Sequence, residues 1–458
     1  MTKPRYHPGC SEWSQVLGEA LSPWAPSPAD NAWIVNFNNG NSNGNNRNNN
    51  ARVRAVRSVA GAGEYQGATE VSFKALHESW RRARRRKVPS VNQLRFEARW
   101  SDRLFDLKER ITAGIWSPSP TACFVAAKPK AREIHAPDFG DRVVHHWLVP
   151  QLEAAIEPGF IHDSFANRKG KGTHAAVDRL RSFVREVASG QDGGWYLQLD
   201  VANYFNSIHR PTLWRLLKRR MERAGVPLVA QRVAHALLRQ SPLTAGVVHR
   251  STPEERARVP AHKRLECAEP GCGLPIGNLS SQFLANLYLN ELDQFVKHRL
   301  KARRYLRYVD DFVIVHENRD ELQAWAGAIE RFLRDTLRLR LKDGTKLLPL
   351  ESGIDFLGYV VFPHRTRVRR RVVRSACAAL QDWAVGRVSA RFVRTTPRDC
   401  ERLQSLWASY LGHFRKANSW RLRQSFHSRF PWLESMARRR KFHWRSSDNV
   451  IRLNRPAA

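Results

Sequence analysis

The amino-acid sequence predicts an α+β protein. Short runs rich in β-branched and aromatic residues alternate with longer stretches of helical period. No strand–Gly-rich turn–helix fingerprint of the doubly wound nucleotide-binding class accompanies them. The chain has 458 residues and 42% hydrophobic content, enough to bury a real core and to form two to four subdomains.

The elements follow in order. Residues 1–70 are rich in Pro, Ser, Ala and Asn, show little periodicity, and are expected to be a disordered N-terminal extension. From Val71 to Gly114 the spacing is helical, and Gly114 is the expected stop. Residues 114–140 break short apolar runs with Pro and Gly, which reads as strands in a hairpin; a helix is expected from near Asp141. "WYLQLDVANYF" (195–205) predicts a strand ending at Asp200, and residues 211–240 predict a helix. "LPIGNLSSQFLANLYLNELDQFVKHRL" predicts a glycine turn feeding a long helix. "RRYLRYVDDFVIVHE" predicts two strands meeting in a tight turn at Asp310-Asp311. A helix over 320–338, a strand at "IDFLGYVVF" and a basic helical region over 373–440 complete the chain, with no internal repeat.

Charge narrows the partners. Lys+Arg is 77 against 42 for Asp+Glu, a net +35 spread along the chain and interleaved with Trp and Phe. Nucleic acid is the expected partner, because phosphate neutralisation drives sequence-independent binding. The densest run, Arg81 to Lys87, reads equally as a solvated helix face and as a phosphate contact. Six Cys are present and none forms a CxxC pair. Cys267 and Cys272 are close, but no second pair follows, so a zinc site is not expected and a reduced, cytoplasmic protein is. No apolar run approaches a membrane span, and the N-terminus has no secretory h-region.

The chemistry centres on carboxylates. Asp310 and Asp311 are adjacent between two strand-forming runs, and Asp200 ends a third. Adjacent carboxylates are costly unless solvated or neutralised, and hard oxygen donors suit Mg2+. A plain turn pair is the bland alternative, since Asp favours turns. Three carboxylates at two strand ends could hold two metals for in-line phosphoryl transfer, provided the strands are neighbours.

Seven blocks in order over residues 90–435 resemble a reverse transcriptase. "GIWSPSP" with "AAKPKAREIHAPDFGDRVVHHWL" resembles the fingers, and "SFANRKGKGTHAAV" the segment before the palm. "LQLDVANYF" and "YLRYVDDFVI" resemble the two catalytic motifs, and "GLPIGNLSSQFLANLYLNELD" the template-contacting motif. "GIDFLGY" resembles the primer grip and "LWASYLGHFRKANSWRL" the thumb. The resemblance implies a right-hand polymerase: fingers and palm of antiparallel sheet plus helices, then a helical thumb. Its implied divisions are 1–70 extension, 71–195 fingers and N-terminal helices, 196–365 palm, and 366–458 basic thumb and tail. It implies an RNA-directed DNA polymerase using two Mg2+ ions, with Mn2+ as an alternative ion. Asp200, Asp310 and Asp311 match the catalytic ligands, joined by the Val201 carbonyl. Phe205 matches the bulky gate that excludes a ribose 2′-OH. Lys128 and Arg132 match the basic residues that hold the incoming triphosphate. Tyr308 would lie near the primer end. Lys346, or else Lys342, matches the lysine that assists pyrophosphate departure.

The template motif narrows the family. Most members read QGxxxSP, whereas this chain reads "IGNLSSQ": Ile276 stands for Gln, Gly277 is kept, and Gln282 stands for Pro. This resembles reverse transcriptases of diversity-generating retroelements and implies adenine-directed infidelity, because Ile cannot make the polar contact of Gln. The N-terminus adds to this. Eleven of the twenty residues from Asn31 to Asn50 are Asn, against eleven in all the rest. Trp33, Val35, Phe37, Asn39, Gly40 and the Arg52–Arg57 stretch resemble the end of a variable protein of such elements, so residues 31–57 are expected to be a translated template repeat, dispensable for polymerisation. The bland alternative is an Asn/Gly linker. The implied partners are template RNA, a DNA product, dNTPs and a small basic accessory oligomer, with no membrane. The alternatives are a group II intron-type or retron-type reverse transcriptase, or a catalytically idle RNA-binding protein.

Overall fold

The computed structural model describes residues 71–85, 88–127, 130–190, 193–390, 392–433 and 450–452. The expectations for residues 1–70, including the Asn-rich patch, fall outside these, as do those for Lys87 and Lys128. The chain divides into two compact units: Met1–Gln151 with Gly225–Ser281, and Leu152–Ala224 with Gln282–Ala458.

Helices start where side-chain oxygens can satisfy the first free backbone amides. Ser72 caps Phe73–Arg84, Ser90 caps Val91–Glu97, Asn318 caps Arg319–Leu337 and Thr396 caps Pro397–Phe414. The predicted helix over 211–240 is two helices, Arg210–Arg223 and Leu228–Arg239. The break falls where Gly225 takes a positive φ of 64° and Pro227 precedes the second helix.

The strands are β1 (Thr121–Ala126), β2 (Arg132–Ala136), β3 (Trp195–Asp200) and β4 (Val247–His249). They continue with β5 (Tyr305–Tyr308), β6 (Asp311–His316) and β7 (Lys346–Pro349). The last are β8 (Ile354–Phe356), β9 (Tyr359–Val361), β10 (Thr366–Val368), β11 (Phe392–Arg394) and β12 (Val450–Arg452).

In the first unit β1 and β2 form the predicted antiparallel hairpin. β4 then joins β1 in parallel, so this sheet is mixed rather than antiparallel, in the order β2-β1-β4. The helices Phe73–Arg84, Val91–Glu97 and Trp100–Thr112 belong to the same unit. The basic run in the first of them is partly occupied internally: Arg84 pairs with Glu97 at 2.9 Å and lies over the Trp80 ring, and Arg82 donates to the His146 carbonyl.

The second unit is built on the antiparallel sheet β5-β6-β3-β7. One face carries Tyr196, Leu306, Tyr308, Val313 and Val315, packed on Ala176, Leu180, Phe183, Val184 and Val187 of the helix Thr173–Ala188. The alternate residues, among them Arg307, turn to the opposite side, where the helix Leu279–Gln294 supplies Asn286 and Asp293 as partners. Burial on both sides explains why β5 and β6 read as near-continuous apolar runs.

Two details depart from expectation. "IDFLGYVVF" is not one strand but the hairpin β8–β9, whose loop residues Leu357 and Gly358 have φ of 51° and 89°. Two positive φ values are the signature of a type I′ turn, for which the Leu-Gly pair was the available signal. The 373–440 region is not continuously helical: Arg370–Ala384, Pro397–Phe414 and Trp420–Arg429 are helices, β11 interrupts them, and residues 434–440 lie outside the description. These helices bury Leu380, Leu403, Trp407, Phe414 and Phe426 in a core of their own.

Candidate active site

The site begins with strand register. β3 and β6 pair antiparallel with Asp200 opposite Asp311, so the two strands predicted to carry carboxylates are neighbours. Both strands also pair onward, β6 with β5 and β3 with β7, which places the acidic edge at the centre of the sheet rather than at a free margin.

The turn is shifted by one residue from the prediction. Tyr308 pairs with Asp311, leaving Val309 and Asp310 as the loop, and Asp311 as the first residue of β6. Val309 has φ 58°, a conformation that a β-branched residue rarely adopts. The buried Arg307 Nη1 donates to the Val309 carbonyl at 2.8 Å and holds this turn. The same guanidinium makes a bidentate pair with Asp293, at 2.8 and 2.6 Å, and both side chains are fully buried. Its remaining hydrogens reach Asn286 and Ser164, and Tyr305 donates to Asp293 at 2.7 Å. Burial works against the arginine charge, but the Asp293 carboxylate outweighs it and raises the Arg307 pKa.

The three aspartates differ in surroundings. Asp200 has 42% of its side chain exposed, with the Lys342 ammonium 3.4 Å away. The Lys342 amide also donates to the Asp200 carbonyl at 2.8 Å. Asp311 accepts from the Gln198 amide at 3.1 Å, and the same amide reaches the Asp355 carbonyl. Burial, reinforced by the charges of Asp200, Asp310 and Asp355, pushes Asp311 up to about 7 against that hydrogen bond. A carboxylate pressed this way is stabilised in its charged form by a cation, which is the electrostatic condition for a metal ligand.

Other predicted residues fall as follows. Val201 is buried and bridges to Leu341 beside this edge. Phe205 is half-buried on the short helix Tyr204–Ser207, edge-on to the Tyr204 ring. Lys346 begins β7 opposite Gln198, whereas Lys342 is the lysine beside Asp200. Tyr308 is buried, its hydroxyl 3.2 Å from Thr173 Oγ1, so its ring supports the turn from within the core. Gln282 is partly exposed in the helix Leu279–Gln294. In the other unit, Arg132 is exposed at the start of β2. The Ile276 carbonyl accepts from the His135 amide at 2.7 Å. Gly277 has φ 125°, and a Cβ there would meet the His135 carbonyl at 2.8 Å, so glycine is required for the loop to lie on β2.

Sequence reasoning missed Gln198, Asp355 and the Arg307–Asp293 pair. Gln198 was within reach: it is the polar residue inside an apolar strand, two before Asp200 and therefore on the same face.

A helix-backed antiparallel sheet, carrying an acidic hairpin beside an acidic strand end, defines the class as a polymerase palm. Comparison with known proteins makes this particular. Residues 126–361 match the family model described as "Reverse transcriptase (RNA-dependent DNA polymerase)". The chain belongs to the reverse transcriptase family. It is 24% identical over 315 residues to protein YkfC of Escherichia coli (strain K12), a match covering 61% of this chain and 76% of that protein. It is 22% identical over 323 residues to the group II intron-encoded protein LtrA of Lactococcus lactis subsp. cremoris, covering 56% of this chain and 48% of LtrA. The chain thus spans about half the length of LtrA. As a member of the family it is an RNA-directed DNA polymerase with RNA template and dNTP substrates, and the family uses divalent metal ions. Among the described residues no helix is long and apolar enough to cross a membrane.

Proposed function

We propose that this reverse transcriptase copies a template-repeat RNA into cDNA with adenine-directed infidelity, serving targeted protein diversification (mutagenic retrohoming). The observation that carries this reading is Ile276 preceding Gly277 in "IGNLSSQ". The backbone on both sides of that side chain is constrained, by the His135 amide and by the glycine contact with β2. An apolar group on a fixed loop cannot replace the hydrogen bond of a Gln, and one hydrogen bond is worth about 0.5–1.5 kcal/mol, up to roughly tenfold in discrimination. Sequencing of cDNA made on a defined RNA is the test. Errors should concentrate opposite template adenines, and Ile276→Gln should lower them up to about tenfold. Equal error rates at all four bases would sink the retroelement reading while leaving the polymerase.

In this reading Asp200, Asp310, Asp311 and the Val201 carbonyl would hold two Mg2+ ions, with Mn2+ able to substitute. When bound, such ions supply activation of the primer 3′-hydroxyl and neutralisation of charge on the departing pyrophosphate. The chain's own residues do the rest. Gln198 fixes the Asp311 carboxylate, Arg307 fixes the turn that carries Asp310, and Tyr308 supports it from below. Lys128 and Arg132 hold the triphosphate, and Lys342 or Lys346 assists pyrophosphate departure. Gly277 and Gln282 flank the template contact. Phe205 excludes the ribose 2′-OH by its bulk. Phe205→Val is expected to admit ribonucleotides, read as UTP incorporation rising at least about tenfold relative to dTTP; unchanged selectivity would make the ring a packing residue only. The reading also includes a small basic accessory oligomer as partner and a dispensable segment 31–57.

Similarity to LtrA favours a second reading, a group II intron-type enzyme. Stimulation of intron splicing by the purified chain, together with faithful copying of adenines, would select it.

A further inference from the structure

In the first unit, Cys123 of β1 and His135 of β2 are direct cross-strand partners, and Glu133 lies two residues before His135, so all three side chains share one face of the sheet. Among the described residues these are the His, Cys, Asp or Glu side chains whose donor atoms, three together, lie within 4.8 Å of one another. Cys123 and His135 are 1% and 2% exposed, and Glu133 has 11% of its side chain exposed. His135 Nε2 is 3.2 Å from a Glu133 oxygen yet makes no well-directed hydrogen bond. Its Nδ1 faces Thr121 Oγ1 at 3.4 Å, a contact that orients the ring. Glu133 is itself fixed by the Leu265 amide at 2.8 Å.

We propose that Cys123, Glu133 and His135 form a zinc-binding site that clamps the base of the β1–β2 hairpin. The donor set is one thiolate, one carboxylate and one imidazole, a combination that suits Zn2+ and gives a neutral site with it. Tetrahedral zinc spaces its ligands by about 3.3–3.8 Å, so modest side-chain adjustment closes the group. Glu133 also lines a cavity of about 170 Å3, together with His249, Arg256, Arg264 and Glu266, which gives water access to the group. His249 is the parallel cross-strand partner of Cys123 but is exposed and outside the group of three, so a water completes the set. Metal binding transfers the Cys123 thiol proton to solvent and forms the zinc–sulfur bond. Without a metal, burial and the neighbouring Glu133 push that thiol up to about 12. The site belongs to the unit that contains none of the three aspartates, so it stands independently of the metal roles assigned to them. A search for paired cysteines could not find it, because its ligands meet through strand register rather than through spacing.

Titration of the purified full chain with Co2+ tests this. The expected result is one equivalent bound with a thiolate-to-cobalt charge-transfer band, displaced by Zn2+ and not by excess Mg2+. The band should persist in Asp310→Ala and in Cys267→Ser/Cys272→Ser. Cys123→Ser should abolish it, and His135→Gln should weaken affinity more than about 100-fold. No thiolate band in the wild-type chain overturns the proposal whatever the variants do, as does a band that survives Cys123→Ser or disappears with Cys267 and Cys272.

Discussion

Asp310→Ala is expected to reduce primer extension on an RNA template by at least about 10³-fold, roughly 4 kcal/mol of barrier. The physical reason is that the loop Val309–Asp310 and the cross-strand pair Asp200–Asp311 bring negative charge to one sheet edge, where a divalent cation is the strongest neutraliser. RNA binding should be unchanged, because it rests on the spread basic charge. Extension within tenfold of wild type would remove Asp310 from the site. The same cluster has a signature in stability. Asp311 is raised from 3.8 to about 7 in the folded protein, so between those values the native state holds a proton that the unfolded chain has lost. Metal-free stability therefore falls as pH rises from about 4 to 7. Asp311→Asn should flatten this slope and raise the metal-free thermal midpoint at pH 8, while Mg2+ should raise the midpoint of wild type and not of the variant. Identical pH slopes for the two proteins would show that Asp311 is not the strained carboxylate. Gain of stability with loss of activity is the expected pattern where function requires crowded charge.

The strands of this site were legible because their composition matches their burial. "WYLQLD" is apolar and aromatic, and the structure starts and ends β3 where those residues do. The pairing of β3 with β6 was not legible, since nothing in the two runs states that they are neighbours. The turn was misplaced by one residue for a specific reason. Asp is a better turn former than Val, so Asp310-Asp311 reads as the turn. The structure instead puts Val309 at positive φ and Asp311 in the ladder, a choice that local propensity opposes. Tertiary contacts overrule it: the Arg307 guanidinium binds the Val309 carbonyl, and Gln198 binds Asp311. The Leu357-Gly358 hairpin and the Gly225–Pro227 helix break are the reverse case, where local turn chemistry was written in the sequence and the apolar period masked it. The Arg307–Asp293 pair was missed for a further reason: a bond between a strand and a helix has no fixed sequence spacing.

Arg307→Met is expected to destabilise the protein by about 3–5 kcal/mol, because it leaves the buried Asp293 carboxylate without its counter-charge. The pair is also a device for placement, which separates it from an ordinary buried salt bridge. Arg307 ties the helix Leu279–Gln294, through Asp293 and Asn286, to the Val309 carbonyl and to Ser164. Replacing both charges, in Arg307→Met/Asp293→Leu, should recover much of the stability, since an apolar pair of similar volume avoids the desolvation of two ions. Activity should not return with it. The Val309 carbonyl would still lack its donor, the turn would relax from its positive φ, and Asp310 would lose its position relative to Asp200 and Asp311. Denaturant unfolding measures the first effect and single-turnover extension the second, with kcat falling about 10²-fold and KM for dNTP little changed. A double variant that regains both stability and kcat would make the pair purely structural. A stable but slow one would show that a residue remote in character from the acidic centre, buried and cationic, sets where its carboxylates stand.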